Sequence, residues 1–182
     1  MQILLEAFEP IIPIFIVALM IFLFILLFIN YKLSYKLNNF KRMLKFLTYF
    51  GMTMTIIGIL LVTLMPTSLE NHSLNLKPFL TIQELFDYAT KEAIFNNIVM
   101  NIVLFIPFGF FLYLIVRREL LVSFIGMFFS IMIETIQYIL PIGRTTNIDD
   151  VILNVTGTIV GVIIGVLFLK IEKIYDMYFG RK

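Results

Sequence analysis

The sequence predicts an all-α integral membrane helical bundle of about five transmembrane helices, with an amphipathic helix on its outer surface between the second and third. Three observations predict it. The 182-residue chain is 60% hydrophobic and only 14% charged, with a mean hydropathy of +1.00. Several apolar runs reach the roughly 20 residues that a helix needs to cross a bilayer. The basic residues also alternate in density from one inter-span segment to the next, as the positive-inside bias of membrane helices requires. A single integral membrane domain over residues 1–182 is expected. A net charge of +2, without a basic stripe, gives no footing for nucleic acid, and a chain without cysteine has neither disulfides nor thiolate metal sites.

Five spans follow in order. The first covers Phe8–Ile29, with Pro10 and Pro13 near its start, where proline does a helix little harm. It follows Glu6 and Glu9 rather than a basic stretch, so it reads as a retained helix and not a signal peptide. The others are Phe46–Met65, Ala93–Val116, Leu120–Leu140 and Val151–Leu169. Eleven basic residues lie in the segment after the first span, the turn after the third and the C-terminal tail; Lys77, Lys91 and Arg144 lie on the opposite side. The expected orientation is N-terminus outside and C-terminus cytoplasmic. The basic segment around residues 31–45 reads as a helix extension held at anionic headgroups.

The outer loop at 66–92 contains Ile82, Leu85, Phe86 and Ala89 at helical spacing, which predicts a surface helix with Thr81 as its N-cap. His72, the single histidine, reads as a solvated loop residue.

Polar residues inside apolar runs need a reason. Asn97 and Asn101, four apart, are expected on one helix face, as are Glu134 and Gln137, three apart. Pro107 removes a hydrogen-bond donor within the third span and Gly109 thins the helix beside it, which predicts a kink. An ionisable residue at the depth of Glu134 should face the bundle interior and find a partner, and it is a candidate functional group. Arg144 is the one cation near it in sequence, so a structural Glu134–Arg144 bridge competes with a functional reading. Asn147 suits an N-cap for the fifth span, and Asp149 and Asp150 in its first turn complement the helix dipole. Asn154 shares a face with Asp150. Gly157, Gly161 and Gly165 form a small-residue stripe for close helix contact. Asn97, Asn101, Glu134, Gln137, Arg144, Asp149, Asp150 and Asn154 are therefore expected to meet in one outward-facing polar pocket that binds a ligand.

Four of these motifs, in this order, resemble the VanZ-like membrane family: N-L-K-P-F at 75–79, N-x-x-x-N-x-x-x-F-x-P-x-G at 97–109, E-x-x-Q at 134–137, and G-R-x-x-x-I-D-D-x-x-x-N-x-x-G-x-x-x-G at 143–161. The resemblance covers a core of about residues 75–165 and adds Asn75, Pro78 and Phe79 as an outer-loop motif. Lys77 departs from the aliphatic residue more usual there. The resemblance implies a multi-pass protein of a bacterial cell membrane, in a family associated with reduced susceptibility to teicoplanin-type lipoglycopeptides.

The favoured expectation is a binding protein whose partners are membrane lipids, a lipid-linked cell-wall precursor or a lipoglycopeptide, with Arg144 pairing an anionic group. The alternative is an intramembrane enzyme that modifies such a lipid, with Glu134 as acid or base and Asp150 or Arg144 stabilising charge. The enzyme reading is the weaker, because Thr145 and Thr146 have no adjacent base to activate them. No cofactor is expected. Glu134, Asp149, Asp150 and the asparagines would suit Mg²⁺ or Ca²⁺, hard cations that take oxygen ligands, if a metal bound.

Overall fold

The computed structural model describes residues 39–64, 74–139 and 145–179, together with Ile21, Phe22 and Ile25. The predicted first span, His72 and Arg144 lie outside or almost wholly outside the described residues. The chain divides into two compact units, Met1–Gly58 and Ile59–Lys182. Helix α1 (Asn39–Leu64) crosses the boundary between them. Within the first unit Phe46 and Phe50 stack with ring centroids 6.2 Å apart. The Thr48 and Thr55 hydroxyls donate to carbonyls four residues back, which satisfies them within an apolar helix.

The second unit carries the remaining elements. These are β1 (Leu74–Asn75), α2 (Leu80–Tyr88), α3 (Lys91–Ile94), a π-helical turn (Phe95–Val99), α4 (Met100–Val116), α5 (Glu119–Ile139), β2 (Thr146–Asn147) and α6 (Ile148–Phe179). Among the described residues four helical stretches are long and apolar enough to cross a membrane: Met43–Leu64, Lys91–Val116, Glu119–Ile139 and Ile148–Tyr175. The chain is an all-α, multi-pass membrane protein.

Packing in this unit is dominated by α4 against α6. A Cβ added to Gly157 would sit 2.2 Å from the Ile102 carbonyl oxygen, and one on Gly161 would sit 2.1 Å from that of Ile106. From the other side, a Cβ on Gly109 would meet the Thr158 carbonyl oxygen at 2.1 Å. Backbone therefore lies on backbone, which small residues alone permit and which drives helix association in lipid. Gly165 accommodates the Tyr113 ring, and Gly126 of α5 makes room for the Thr158 side chain. Phe129 of α5 stacks on Phe108 of α4 at 5.1 Å, and Tyr113, Val122 and Val162 form a buried cluster across the three helices. Helix α4 is continuous through Pro107.

Candidate functional site

One end of the second unit is built on a small parallel ladder. Strands β1 and β2 pair with Leu74 opposite Thr146 and Asn75 opposite Asn147. Two residues make a weak ladder, and side chains hold it in place. Glu134 Oε2 accepts the Asn147 amide at 2.9 Å, while the Thr146 hydroxyl donates to the Glu134 carbonyl at 3.3 Å. Glu134, Thr146 and Asn147 are all buried.

Asn147 Oδ1 accepts the Asp149 amide at 3.1 Å, which caps the start of α6. The Asp149 side chain then leaves its own helix. Its two oxygens accept the amides of Phe79 and Ile82, the latter at 3.1 Å. Both amides belong to the N-terminal turn of α2, whose donors have no partner within the helix. Asp149 is 1% exposed. This buried carboxylate caps a second helix and lies at the positive ends of two dipoles, α2's and α6's. The predicted N-cap of the outer helix is thereby corrected. Phe79 occupies that position with φ 64°, Asp149 supplies the acceptors from 67 and 70 residues away, and Thr81 lies inside the first turn. The Thr81 hydroxyl accepts from Asn75 Nδ2 at 2.9 Å, and Asn75 Oδ1 accepts the Lys77 amide at 3.2 Å. Pro78 sits in the exposed turn between them.

The other predicted site residues divide. Asn101 Nδ2 donates to Asp150 Oδ1 at 2.8 Å, joining α4 to α6. Asn97 does not join them: it is exposed, and its amide donates back to the Ala93 carbonyl. Asn97 lies in the π-helical turn and Asn101 in the α-helix that follows it. Gln137 Nε2 donates at 2.7 Å to the Thr63 carbonyl in the last turn of α1, where carbonyls have no acceptor role within the helix. Asn154 Nδ2 donates to the Ser130 hydroxyl at 2.9 Å, and Asn154 Oδ1 is buried with no hydrogen-bond partner among the described residues.

Beside Glu134 and Asn147 lies a cavity of about 220 Å³. It is lined by Ile131 and Tyr138 of α5, Leu74 of β1 and Leu76 just after it, and Ile148 and Val151 of α6, together with the hydrogen-bonded Glu134, Thr146 and Asn147. Ile131, Thr135 and Tyr138 are exposed at i, i+4 and i+7 on α5, so the groove is bordered by an exposed face of that helix. The groove is apolar with hydrogen-bonded polar residues in its lining, in contrast to the expected polar cavity. No group of three or more His, Asp or Glu side chains placed for a metal ion occurs among the described residues.

A family model described as VanZ/LLP1 matches residues 12–169, most of the chain. The chain belongs to the VanZ/LLP1 family. Neither the curated proteins nor the solved structures compared with it give a match. Membership ties this membrane protein to glycopeptide resistance through the family's name, and the match takes in every motif from Asn75 to Gly165. In this VanZ/LLP1 chain the E-x-x-Q pair faces two different partners, the ladder and the end of α1. Ser130 was not expected here, and Thr146, weighed from the sequence only as a nucleophile, instead donates a hydrogen bond. Ser130 had a signal, since Gly126, Ser130, Glu134 and Gln137 fall on the single buried face of α5.

Proposed function

We propose that this VanZ/LLP1 protein binds an acylated amphiphile of the bacterial cell envelope, with the hydrocarbon chain in the groove and the polar head at the outer corner. A lipid, a lipid-linked cell-wall precursor and a lipoglycopeptide share that chemistry. The observation that carries the reading is the groove itself, an apolar cavity beside the exposed face of a membrane-spanning helix, with Glu134 and Asn147 in its lining. Its volume of about 220 Å³ is below the roughly 300–1,000 Å³ of a site that engulfs a drug-sized ligand. It has room for part of one chain and not for a peptide core. The charge bias of eleven basic residues against three supports an outward-facing corner, with the N-terminus outside and the C-terminus in the cytoplasm. Arg144, three residues before Asn147, supplies a cation for an anionic head.

The test is susceptibility of a bacterial host to acylated teicoplanin and unacylated vancomycin at matched membrane levels of protein. Wild type should protect against teicoplanin selectively. Ile131→Trp, which fills the groove, should erase the protection, and Arg144→Ala should reduce it more than Glu134→Gln. Absence of protection by wild type, or equal protection against both antibiotics, overturns the reading. Complete loss in a folded Glu134→Gln with partial retention in Arg144→Ala would replace binding by catalysis at Glu134 and Asp150.

A further inference from the structure

Helix α2 is nine residues long and contains no buried residue. A free helix of that length is unstable in water, because nucleation costs more than so few hydrogen bonds return. Apolar burial adds little, since Leu80, Ile82 and Leu85 are only half-buried and Phe86 and Tyr88 are exposed. What fixes the segment 74–88 is a set of polar attachments to four consecutive residues, 146–149. The ladder joins Leu74 and Asn75 to Thr146 and Asn147, and the Phe79 and Ile82 amides close on the Asp149 carboxylate. Asn75 ties the two halves of the segment together through Thr81. The same segment supplies Leu74 and Leu76, one wall of the acyl groove.

We propose that segment 74–88 is a detachable outer wall of the groove, and that Asp149 is the positioning residue that holds it closed. This rests on the groove's being the chain-binding site. Segments with few buried contacts and externally satisfied hydrogen bonds open at low free energy. A clasp made of two charge-assisted hydrogen bonds concentrates control of that opening in one side chain. A bound chain packs against Leu74 and Leu76 only while the clasp is shut, so clasp and ligand favour the same closed state.

Asp149→Asn preserves shape and replaces one acceptor by a donor that faces a backbone amide. The protein is reconstituted in phosphatidylglycerol vesicles containing a phospholipid with a photoreactive acyl chain. Hydrogen exchange and the labelled peptides are then read together. In Asp149→Asn the amides of Phe79–Tyr88 should lose protection by roughly tenfold or more, while those of Val151–Val162 stay protected and report an intact bundle. Labelling of the Leu74–Leu76 and Ile131–Tyr138 peptides should fall several-fold, with labelling at the exposed Ile163 and Leu167 unchanged. Asn75→Ala should shift both readouts the same way by less. Unchanged protection of Phe79–Tyr88 in both variants overturns the clasp. Release of α2 with unchanged groove labelling overturns its role as a wall. Groove labelling of wild type no higher than at Ile163 and Leu167 overturns the site reading itself, whatever α2 does.

Discussion

The contact between α4 and α6 and the corner formed by β1, α2 and β2 belong to the same unit and are held by opposite means. In the helix pair, Gly109, Gly157 and Gly161 bring backbone against backbone with no room for a methyl group. In the corner most attachments are hydrogen bonds from backbone amides to named side chains, and α2 has no fully buried residue. Van der Waals contact along a glycine stripe is short-ranged, dense and indifferent to water. A few hydrogen bonds accepted by a carboxylate are directional, and each stands or falls with one group. The helix pair is therefore the fixed frame, and the corner is the part whose state single substitutions can change.

The largest effect that would sharpen this contrast is expected at Gly161. Gly161→Leu drives side-chain atoms into the Ile106 carbonyl. It should cost at least the ~1–3 kcal/mol typical of overpacking, seen as loss of folded protein in the membrane and a lower midpoint of unfolding in detergent. Normal stability of that variant would break the account of the frame. Next is Ser130→Ala, which strips Asn154 Nδ2 of its acceptor. A cost of about 0.6–1.7 kcal/mol is expected from membrane hydrogen bonds. Asn154→Ala should cost less than Ser130→Ala, because it also removes a buried oxygen that has no partner among the described residues. The reverse order, measured by denaturation in the same detergent, would mean that Asn154 Oδ1 is satisfied. Gln137→Leu should release the Thr63 carbonyl for about 0.6 kcal/mol and speed hydrogen exchange at the end of α1 alone. The smallest effect is expected at Asn97. Asn97→Ala should stay within about 0.5 kcal/mol, whereas Asn101→Ala removes the link to Asp150 and should exceed it. Equal effects at the two asparagines would mean that the Asn101–Asp150 bond adds nothing to stability.

The expected grouping of polar residues into one cavity came from reading depth and face along ideal helices. Depth was legible, because 1.5 Å of rise per residue places Glu134, Asp150 and Asn154 without tertiary information. The partner of Asn97 was not legible: its amide bonds back to Ala93 within a π-helical turn that no local sequence pattern announces. Partner identity failed more widely. Asp149 in the first turn of a helix reads as a local dipole partner, and that reading holds for a helix taken by itself. Its bonds to Phe79 and Ile82 depend on α2 being carried to the start of α6, which nothing near residue 149 encodes. Gln137 likewise meets a backbone carbonyl at Thr63, and a backbone carbonyl leaves no trace in the side-chain sequence.

What the sequence by itself determined is therefore the membrane class, the spans from α1 onward to within a few residues except at the longer last helix, and the family through four ordered motifs. Hydropathy, glycine spacing and charge bias are properties of single segments and survive without a fold. The tertiary structure alone decided which carboxylate serves which amide, and that the cavity at the corner is apolar with hydrogen-bonded polar residues in its lining. Those are relations between segments as many as 70 residues apart. Hydrogen bonds reach only about 3 Å, so they exist once packing of α4, α5 and α6 has brought their ends together, and not before.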